Sequence, residues 1–335
     1  MLNDFDPDAP ASPGDGLFGL PHGPSEAAVV IVPVPFEATT SYGRGTAQAP
    51  RRILEASGQV ELNDDWFDEP WRAGVAMLPI DRGIEALDQR ASELALPIIE
   101  AGGAHTEAHR ADLQRVNELC EQLNQWVYGQ TRDQLERGKL PGILGGDHAV
   151  SFGAIQAAAE RHPGMGILHI DAHPDLREAY GGFTWSHASV MYNVHERISS
   201  LGHTVQVGVR DISRAGAARI EDWGELTAFS DHELAWEVAS GEPWMRIAAR
   251  IVRPLPERVW ISFDIDGLDP SNCPHTGTPV PGGLSWHQAL LLLQLLATER
   301  RVVGFDLVEV GDGEWDANVG ARLLYKLAGC ALKSR

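Results

Sequence analysis

The feature that most constrains the fold is residues 166–176, where a short apolar run passes directly into closely spaced acids and a histidine. The apolar half predicts a buried strand, and Asp171, His173 and Asp175 follow at every second position. Alternate side chains of an extended chain point to the same side, so the three groups leave the strand together. Burying such charges is costly unless a cation compensates them. The spacing therefore indicates a metal site at the end of a strand.

Two further apolar runs end in the same kinds of side chain. Residues 142–148 end in Asp147 and His148, and residues 259–266 end in Asp264 and Asp266. If these strands are parallel, their carboxyl ends share the edge of the sheet where α/β proteins place their sites. Four carboxylates and two imidazoles nearly balance two divalent cations, and this donor set suits Mn²⁺ better than Fe²⁺, Co²⁺ or Ni²⁺. A structural zinc site would use cysteines, and none lies near. The predicted ligands are His148, Asp171, His173, Asp175, Asp264 and Asp266.

The rest of the chain predicts an α/β protein, because strand patterns alternate with helix patterns. Residues 1–27 are rich in proline, glycine and aspartate and predict an extended arm, whereas 28–335 predict one domain. Residues 60–85 predict irregular structure. Such alternation is typical of a parallel sheet covered by helices on both faces. We expect strands at 28–35, 141–145, 165–170, 204–209, 258–264 and 301–308, and helices at 49–56, 107–137, 150–161, 186–199, 233–252, 285–298 and 318–332.

The composition excludes some classes of partner. The formal net charge of −20 argues against nucleic acid and against anionic membrane surfaces. A negative field could steer a cationic substrate, although an acidic cytoplasmic protein explains the same charge. Three widely spaced cysteines fit a reducing compartment. No signal-peptide pattern and no apolar run of membrane-spanning length is evident, so we expect a cytoplasmic protein.

Three motifs resemble the metal signatures of the ureohydrolase family, which includes arginase, agmatinase, guanidinobutyrase and formiminoglutamase. They are Gly-Gly-Asp-His at 145–148, Asp-Ala-His-Pro-Asp at 171–175 and Ser-Phe-Asp-Ile-Asp-Gly-Leu-Asp-Pro at 262–270. The resemblance implies a three-layer α/β/α sandwich with a mainly parallel sheet, of the arginase/deacetylase-like kind. It also implies a binuclear manganese centre that uses all six ligands and hydrolyses a guanidino or related amidino carbon. By the same resemblance we expect a homo-oligomer, trimeric or hexameric.

The resemblance also implies roles for three side chains. Glu309 matches the family's glutamate that receives the guanidinium, and a carboxylate can accept two parallel N–H bonds from that planar group. The chain continues with Val310-Gly311 where the family often has Asn-Pro. His187 matches the histidine that passes a proton to the leaving amine, although a helix-start residue beside Ser186 is the structural alternative. Asp175 is expected to accept the proton of the nucleophile.

Supporting roles are predicted for three other polar residues. His169 lies on the strand face of Asp171, and we expect it to support the ligands rather than to bind metal. Asp147 and Asp269 are expected to orient ligands and turns.

The substrate is less constrained by the motifs. Arginases hold the two ends of an amino acid with groups that are absent here, because Arg177 and Ser213 occupy the corresponding segments. His275 stands where the family usually has glycine or alanine, in a loop expected to line the pocket. We therefore predict agmatine, cleaved to urea and putrescine, with Glu309, Arg177, Ser213 and His275 contacting the substrate. The alternatives are a guanidino-acid hydrolase such as guanidinobutyrase, a formiminoglutamase, a metal-dependent deacetylase, or a non-catalytic protein of this fold.

Overall fold

One sheet of parallel strands forms the centre of the protein. The computed structural model describes residues 5–12 and 14–335. The strands pair in parallel in the order β2-β1-β3-β8-β7-β4-β5-β6. They are β1 Val29–Val34, β2 Val75–Met77, β3 Leu140–Gly145, β4 Gly166–Ile170, β5 Thr204–Val209, β6 Leu226–Ser230, β7 Arg258–Asp264 and β8 Arg301–Val308.

Helices cover both faces of this sheet. The helices are α1 Ala49–Ser57, α2 Arg82–Glu100, α3 Glu107–Glu136, α4 Phe152–Arg161, α5 Val190–Arg197, α6 Arg214–Asp222, α7 Asp231–Ala239, α8 Trp244–Val252, α9 Trp286–Glu299 and α10 Glu314–Lys333. Helices α1, α8, α9 and α10 pack on one face, and α2, α3, α4 and α5 pack on the other. The predicted three-layer α/β/α sandwich is confirmed. No helix in these described ranges is long and apolar enough to cross a membrane.

The strands are apolar on both faces because each face supports a separate core. On β1, Val29 and Ile31 point into the core beneath α1 and α10, while Val32 and Val34 point into the core beneath α2 and α3. This two-residue alternation between two buried faces explains why the strands appear in the sequence as continuous apolar runs.

Three parts of the secondary-structure prediction are wrong. The single helix expected at 233–252 is two helices, α7 and α8, because Gly241 takes a positive φ of 92° and Pro243 precedes α8. The region 60–85 is not wholly irregular, since it contains β2 and the start of α2. No elements were expected at α2, α6 and β6, and β6 is a short edge strand with mostly half-buried residues.

The described part of the N-terminal segment packs against the helices. Leu17, Phe18 and Leu20 are buried, and the Phe18 ring meets Tyr325 of α10 edge-on with 4.9 Å between centroids. The backbone N–H of Phe18 donates to Ser57 Oγ at the end of α1. The proposed boundary between arm and domain at residue 27 stays a prediction, and residues 1–4 and 13 lie outside the described ranges.

Candidate metal centre

The parallel sheet brings the predicted ligands to one edge. The neighbours β3, β8, β7 and β4 occupy the middle of the sheet, and their carboxyl ends point the same way. β3 leads to a short 3-10 turn that starts at His148, with Asp147 accepting a hydrogen bond from the backbone N–H of Ala149. The loop after β4 carries Asp171, His173 and Asp175, and β7 runs into Asp264 and Asp266. All six predicted ligands therefore lie within one buried region.

The first group of ligands surrounds His148. Its Nδ1 lies 3.1 Å from Asp171 Oδ2, 3.1 Å from Asp175 Oδ2 and 3.4 Å from Asp264 Oδ2. All four side chains are buried, yet this nitrogen makes no hydrogen bond of acceptable geometry with any residue that the structure describes. An unpartnered imidazole nitrogen amid three converging carboxylate oxygens is the donor arrangement that a divalent cation requires.

The second group of ligands surrounds His173. Its Nδ1 lies 3.1 Å from Asp266 Oδ2 and 3.5 Å from Asp171 Oδ1. Asp171 thus offers one oxygen to each group, and its carboxylate would be shared by cations bound at the two positions. The residues present fit two cations that share a bridging aspartate.

The charges of the two groups require positive compensation. Burial disfavours the charged form of His148, but the nearby carboxylates of Asp171, Asp175 and Asp264 outweigh burial and raise its pKa well above the usual range. The pKa of His173 is raised to about 12, because Asp171 and Asp266 likewise outweigh burial. Burial and the neighbouring Asp266 and Asp171 hold the pKa of Asp264 well above that of an ordinary carboxyl. All three pKa shifts are upward and share one cause, an excess of buried negative charge that bound cations would neutralise.

A network missed at the level of sequence fixes the tautomer of His148. Ser262 Oγ donates to Asp306 Oδ1 at 2.8 Å, and Trp260 Nε1 donates to Asp306 Oδ2 at 2.6 Å. A hydroxyl has one proton to donate, so Ser262 accepts from His148 Nε2, which lies 2.9 Å away. In the neutral ring, which is the form that binds metal, Nδ1 is therefore the unprotonated nitrogen. Ser262 precedes Asp264 by two residues, and that shared strand face was the signal available in the sequence.

Glu309 lies beside these groups with one free oxygen. Its Oε1 accepts the backbone N–H of His148 at 3.0 Å, whereas the buried Oε2 has no hydrogen-bond partner within the described ranges. Burial first, and then the negative charge of Asp147, raises the pKa of Glu309 well above its usual value. Gly277 lies opposite, and a Cβ there would come within 2.9 Å of Oε2. The free oxygen suits a cationic hydrogen-bond donor.

His187 lies at the cavity wall as a neutral imidazole. His187 begins a 3-10 turn that Ser186 caps, so it is also the helix-start residue that was the alternative interpretation of this position. Its Nε2 lies 3.4 Å from Ser41 Oγ, and the ring of Tyr180 meets it edge-on. Burial lowers its pKa to about 4.

A cavity of about 260 Å³ opens above the metal groups. It is lined by the predicted residues His173, Asp175, Arg177, His187 and Ser213. Neither Glu309 nor His275 is among the lining residues of this cavity. The exposed ring of His275 instead bonds through Nδ1 to Asp316 Oδ2 at 2.8 Å. Its side chain anchors the loop 273–278 to α10.

The supporting residues lie around the ligands. His169 Nε2 is 2.8 Å from Asp171 Oδ2. Asp269 accepts from the backbone N–H and the hydroxyl of Ser271 and thereby orders the turn after β7. The supporting role of these residues toward the metal ligands stays a prediction.

Fold and site together define a class: an α/β/α protein whose parallel sheet presents a double carboxylate–imidazole cluster that could bind two metal ions. The chain matches the arginase family over residues 27–331 and belongs to that family. It is therefore a hydrolase that acts on guanidino carbon–nitrogen bonds, in a family that depends on binuclear metal centres.

Curated relatives agree with this assignment. The N(1)-aminopropylagmatine ureohydrolase of Thermus thermophilus is 33% identical over 306 residues, which cover 91% of this chain and 90% of the relative. The agmatinase of Bacillus anthracis is 30% identical, with 85% and 84% covered. The solved structure of the agmatine ureohydrolase of Thermoplasma volcanium superimposes with a TM-score of 0.72 at 24% identity and covers 95% of this chain and 94% of that one.

Proposed function

We propose that this protein is a manganese-dependent ureohydrolase that cleaves a cationic guanidino compound to urea and an amine. The preferred substrate is agmatine or its N(1)-aminopropyl derivative, and the amine product from agmatine is putrescine. The observation that carries the proposal is the free, buried Oε2 of Glu309 beside the double metal-ligand cluster. The other oxygen of Glu309 accepts the backbone N–H of His148, so a guanidinium bound to Oε2 would lie near the first group of ligands.

The chain's own residues supply three tasks in this reaction. Two metal ions bound by the cluster would lower the pKa of a water molecule so that it acts as a nucleophile at neutral pH. Glu309 orients the guanidinium through charge-assisted hydrogen bonds. Asp175, which faces both His148 and the cavity, accepts the proton of the attacking water. The water oxygen bonds to the guanidino carbon while the bond from that carbon to the alkyl nitrogen breaks. The proton that Asp175 accepts passes through the neutral ring of His187 to this nitrogen, which then leaves as an amine.

The choice of a cationic substrate is supported by the relatives and by charge. The two curated relatives described above act, by their names, on agmatine or on its aminopropyl derivative. Asp211 lines the same cavity and is well exposed, so an ammonium group at the far end of the substrate has a carboxylate available. The formal charge of −20 also favours the approach of cations.

A second candidate, a guanidino acid, is favoured by Arg177. This arginine lines the cavity and lies 5.1 Å above the ring of Tyr180. Among the described residues it has no carboxylate within ion-pair distance. A free guanidinium at the cavity wall could bind a substrate carboxylate, as in 4-guanidinobutyrate.

A urea-release panel separates these candidates. The Mn²⁺-loaded protein is assayed with agmatine, N(1)-aminopropylagmatine, arginine and 4-guanidinobutyrate, and kcat/KM is compared. We expect one of the two polyamine-type substrates to exceed arginine and 4-guanidinobutyrate. If 4-guanidinobutyrate is preferred, Arg177→Met should remove that preference without changing metal content. Absence of urea from all four compounds with two metals bound would contradict the proposed function.

A further inference from the structure

His169 lies directly behind the carboxylate that bridges the two metal positions. Its ring is fully buried on β4, and Nε2 lies 2.8 Å from Asp171 Oδ2. The same oxygen faces His148 Nδ1 at 3.1 Å, on the side of the first metal position. His169 is therefore close enough either to bind metal itself or to direct Asp171.

A glutamine on the neighbouring strand decides between these two roles. Gln206 is the cross-strand partner of His169 in the β4–β5 ladder. Its Nε2 donates to the carbonyl oxygen of Pro174 at 2.8 Å and faces His169 Nδ1 at 3.0 Å. A carbonyl oxygen can only accept, so the amide nitrogen must point toward Pro174 and His169.

This fixed amide orientation fixes the proton on His169. Nδ1 accepts from the Gln206 amide, so the proton of the neutral ring lies on Nε2. Nε2–H then donates to Asp171 Oδ2. Both ring nitrogens are engaged, and neither is left as a metal ligand.

Gln206 also supports the loop that carries the other ligands. Pro174, whose carbonyl it holds, stands between His173 and Asp175, and Asp175 has a positive φ of 52°. One buried amide thus contacts both the residue that orients Asp171 and the backbone that presents Asp175. A non-glycine residue held in this conformation needs such support from its surroundings.

We propose that His169 and Gln206 are positioning residues that direct the bridging carboxylate of Asp171 and so set the affinity for the metal pair. This inference rests on the binuclear metal centre of the proposed function. It assigns the pair no contact with substrate. Outer-shell partners of this kind typically change metal affinity by about 10- to 100-fold when they are removed.

Two polar substitutions at position 169 test the proposal. His169→Gln places an amide N–H where Nε2–H was, so it retains the donor to Asp171. His169→Asn has the same chemistry but is too short to reach Oδ2. Titration of the metal-free protein with Mn²⁺, followed by calorimetry and by the Mn²⁺ resonance signal, gives the number of ions bound and their affinities. We expect H169N to weaken the binding of at least one ion by about 10- to 100-fold, and H169Q to stay within about threefold of wild type.

Two further variants complete the test. His203→Gln is the matched control. His203 lies just before the start of β5, away from the metal ligands at the carboxyl ends of the strands, and bonds to Thr227. This substitution should leave the affinity for Mn²⁺ unchanged. Gln206→Met should weaken Mn²⁺ binding in the wild-type background and have a smaller effect in the H169N background, since the two residues act in series.

The overturning outcomes are separate from those of the proposed function. Equal affinities for wild type and H169N would refute the positioning role. Complete loss of one ion in both H169Q and H169N, as in Asp171→Ala, would make His169 a direct ligand and would also refute it. Normal two-ion binding without urea release from any substrate would instead refute the proposed function and leave the positioning result standing.

Discussion

At the scale of single residues, the two oxygens of Glu309 have different environments. Oε1 accepts the backbone N–H of His148, whereas Oε2 has no partner in the part of the chain that the structure describes. Glu309 also has a positive φ of 61°, a conformation that a non-glycine residue keeps only when its surroundings impose it. The backbone is thus held so that the free oxygen faces Gly277 across the site.

Glu309→Gln should therefore impair catalysis strongly and leave metal binding intact. The His148 N–H selects the amide oxygen, so the amide NH₂ group would face the guanidinium, and a donor would meet a donor. Loss of one partner from a buried charge pair costs about 2–5 kcal/mol, or roughly 30- to several-thousand-fold in kcat/KM. Urea-release kinetics and metal analysis measure both effects. Glu314→Gln, at the exposed start of α10, is the control, and unchanged rates in E309Q would remove Glu309 from its proposed role.

Asp88 gives a second prediction at this scale, which concerns stability. Burial, partly offset by a hydrogen bond from the backbone N–H of Glu37, raises its pKa to about 6. The folded protein therefore holds a proton that the unfolded chain releases near pH 4, and the free energy of unfolding falls as pH rises from about 4 to 6.

Asp88→Asn should flatten that pH dependence. Asparagine can still accept from the Glu37 N–H through its side-chain oxygen, but it cannot ionise. Above pH 7 we expect D88N to be more stable than wild type, by at most about 3 kcal/mol. Urea unfolding at several pH values measures this difference. Asp65→Asn, at an exposed position, should follow the wild-type curve; a D88N curve parallel to wild type would contradict the prediction.

At the scale of elements, the sequence predicts strands best where both faces are buried. β4, β7 and β8 appear as continuous apolar runs. The ends of β4 and β7 carry the predicted ligands that two-residue spacing identifies, and β8 leads to Glu309. The edge strand β6 is half-buried and lacks that signal. Helix α2 contains Gly83 and Pro97, which are typical of loops.

Side-chain contacts between strands could not be predicted, because local sequence patterns do not specify the order of strands in the sheet. His169 meets Gln206 only because β5 lies beside β4, and Ser262 meets Asp306 only because β8 lies beside β7. The six ligands could be predicted one strand at a time. The groups that orient them come from neighbouring strands, and their roles depend on the order of the sheet.

The break between α7 and α8 gives a prediction for this scale. Gly241 has a positive φ of 92° and open space where a Cβ would lie, so only backbone strain opposes a side chain there. Gly241→Ala should lower the free energy of unfolding by about 1–2 kcal/mol. Gly224 is a matched control, because it also has open space but lacks the positive φ; Gly224→Ala should change stability by about 0.5 kcal/mol or less. Equal stabilities for the two variants in chemical unfolding would contradict this account.

At the scale of the whole molecule, the metal site concentrates charge that the rest of the fold does not neutralise. Asp171, Asp175, Asp264 and Asp266 are all buried in a chain that already carries a formal net charge of −20. Their mutual repulsion is present in the folded state and relieved in the unfolded chain. The same carboxylates that suit catalysis therefore reduce the stability of the metal-free protein.

Removal and return of metal should consequently change the melting temperature of the whole chain. Chelation should lower the Tm, and Mn²⁺ should restore it, because each ion binds the folded state and not the dispersed ligands of the unfolded one. At a free Mn²⁺ concentration of about 100 times the dissociation constant, each site contributes about 2.7 kcal/mol. Ca²⁺ should restore less of the Tm, since imidazole ligands suit Mn²⁺ better.

Asp171→Ala, which removes the shared carboxylate, should reduce the Mn²⁺-dependent rise in Tm more than Asp211→Ala, which removes the exposed cavity carboxylate. Differential scanning calorimetry at fixed protein concentration measures the Tm of the wild type and of both variants. A Tm that changes with neither chelator nor Mn²⁺ would contradict a binuclear centre in this cluster.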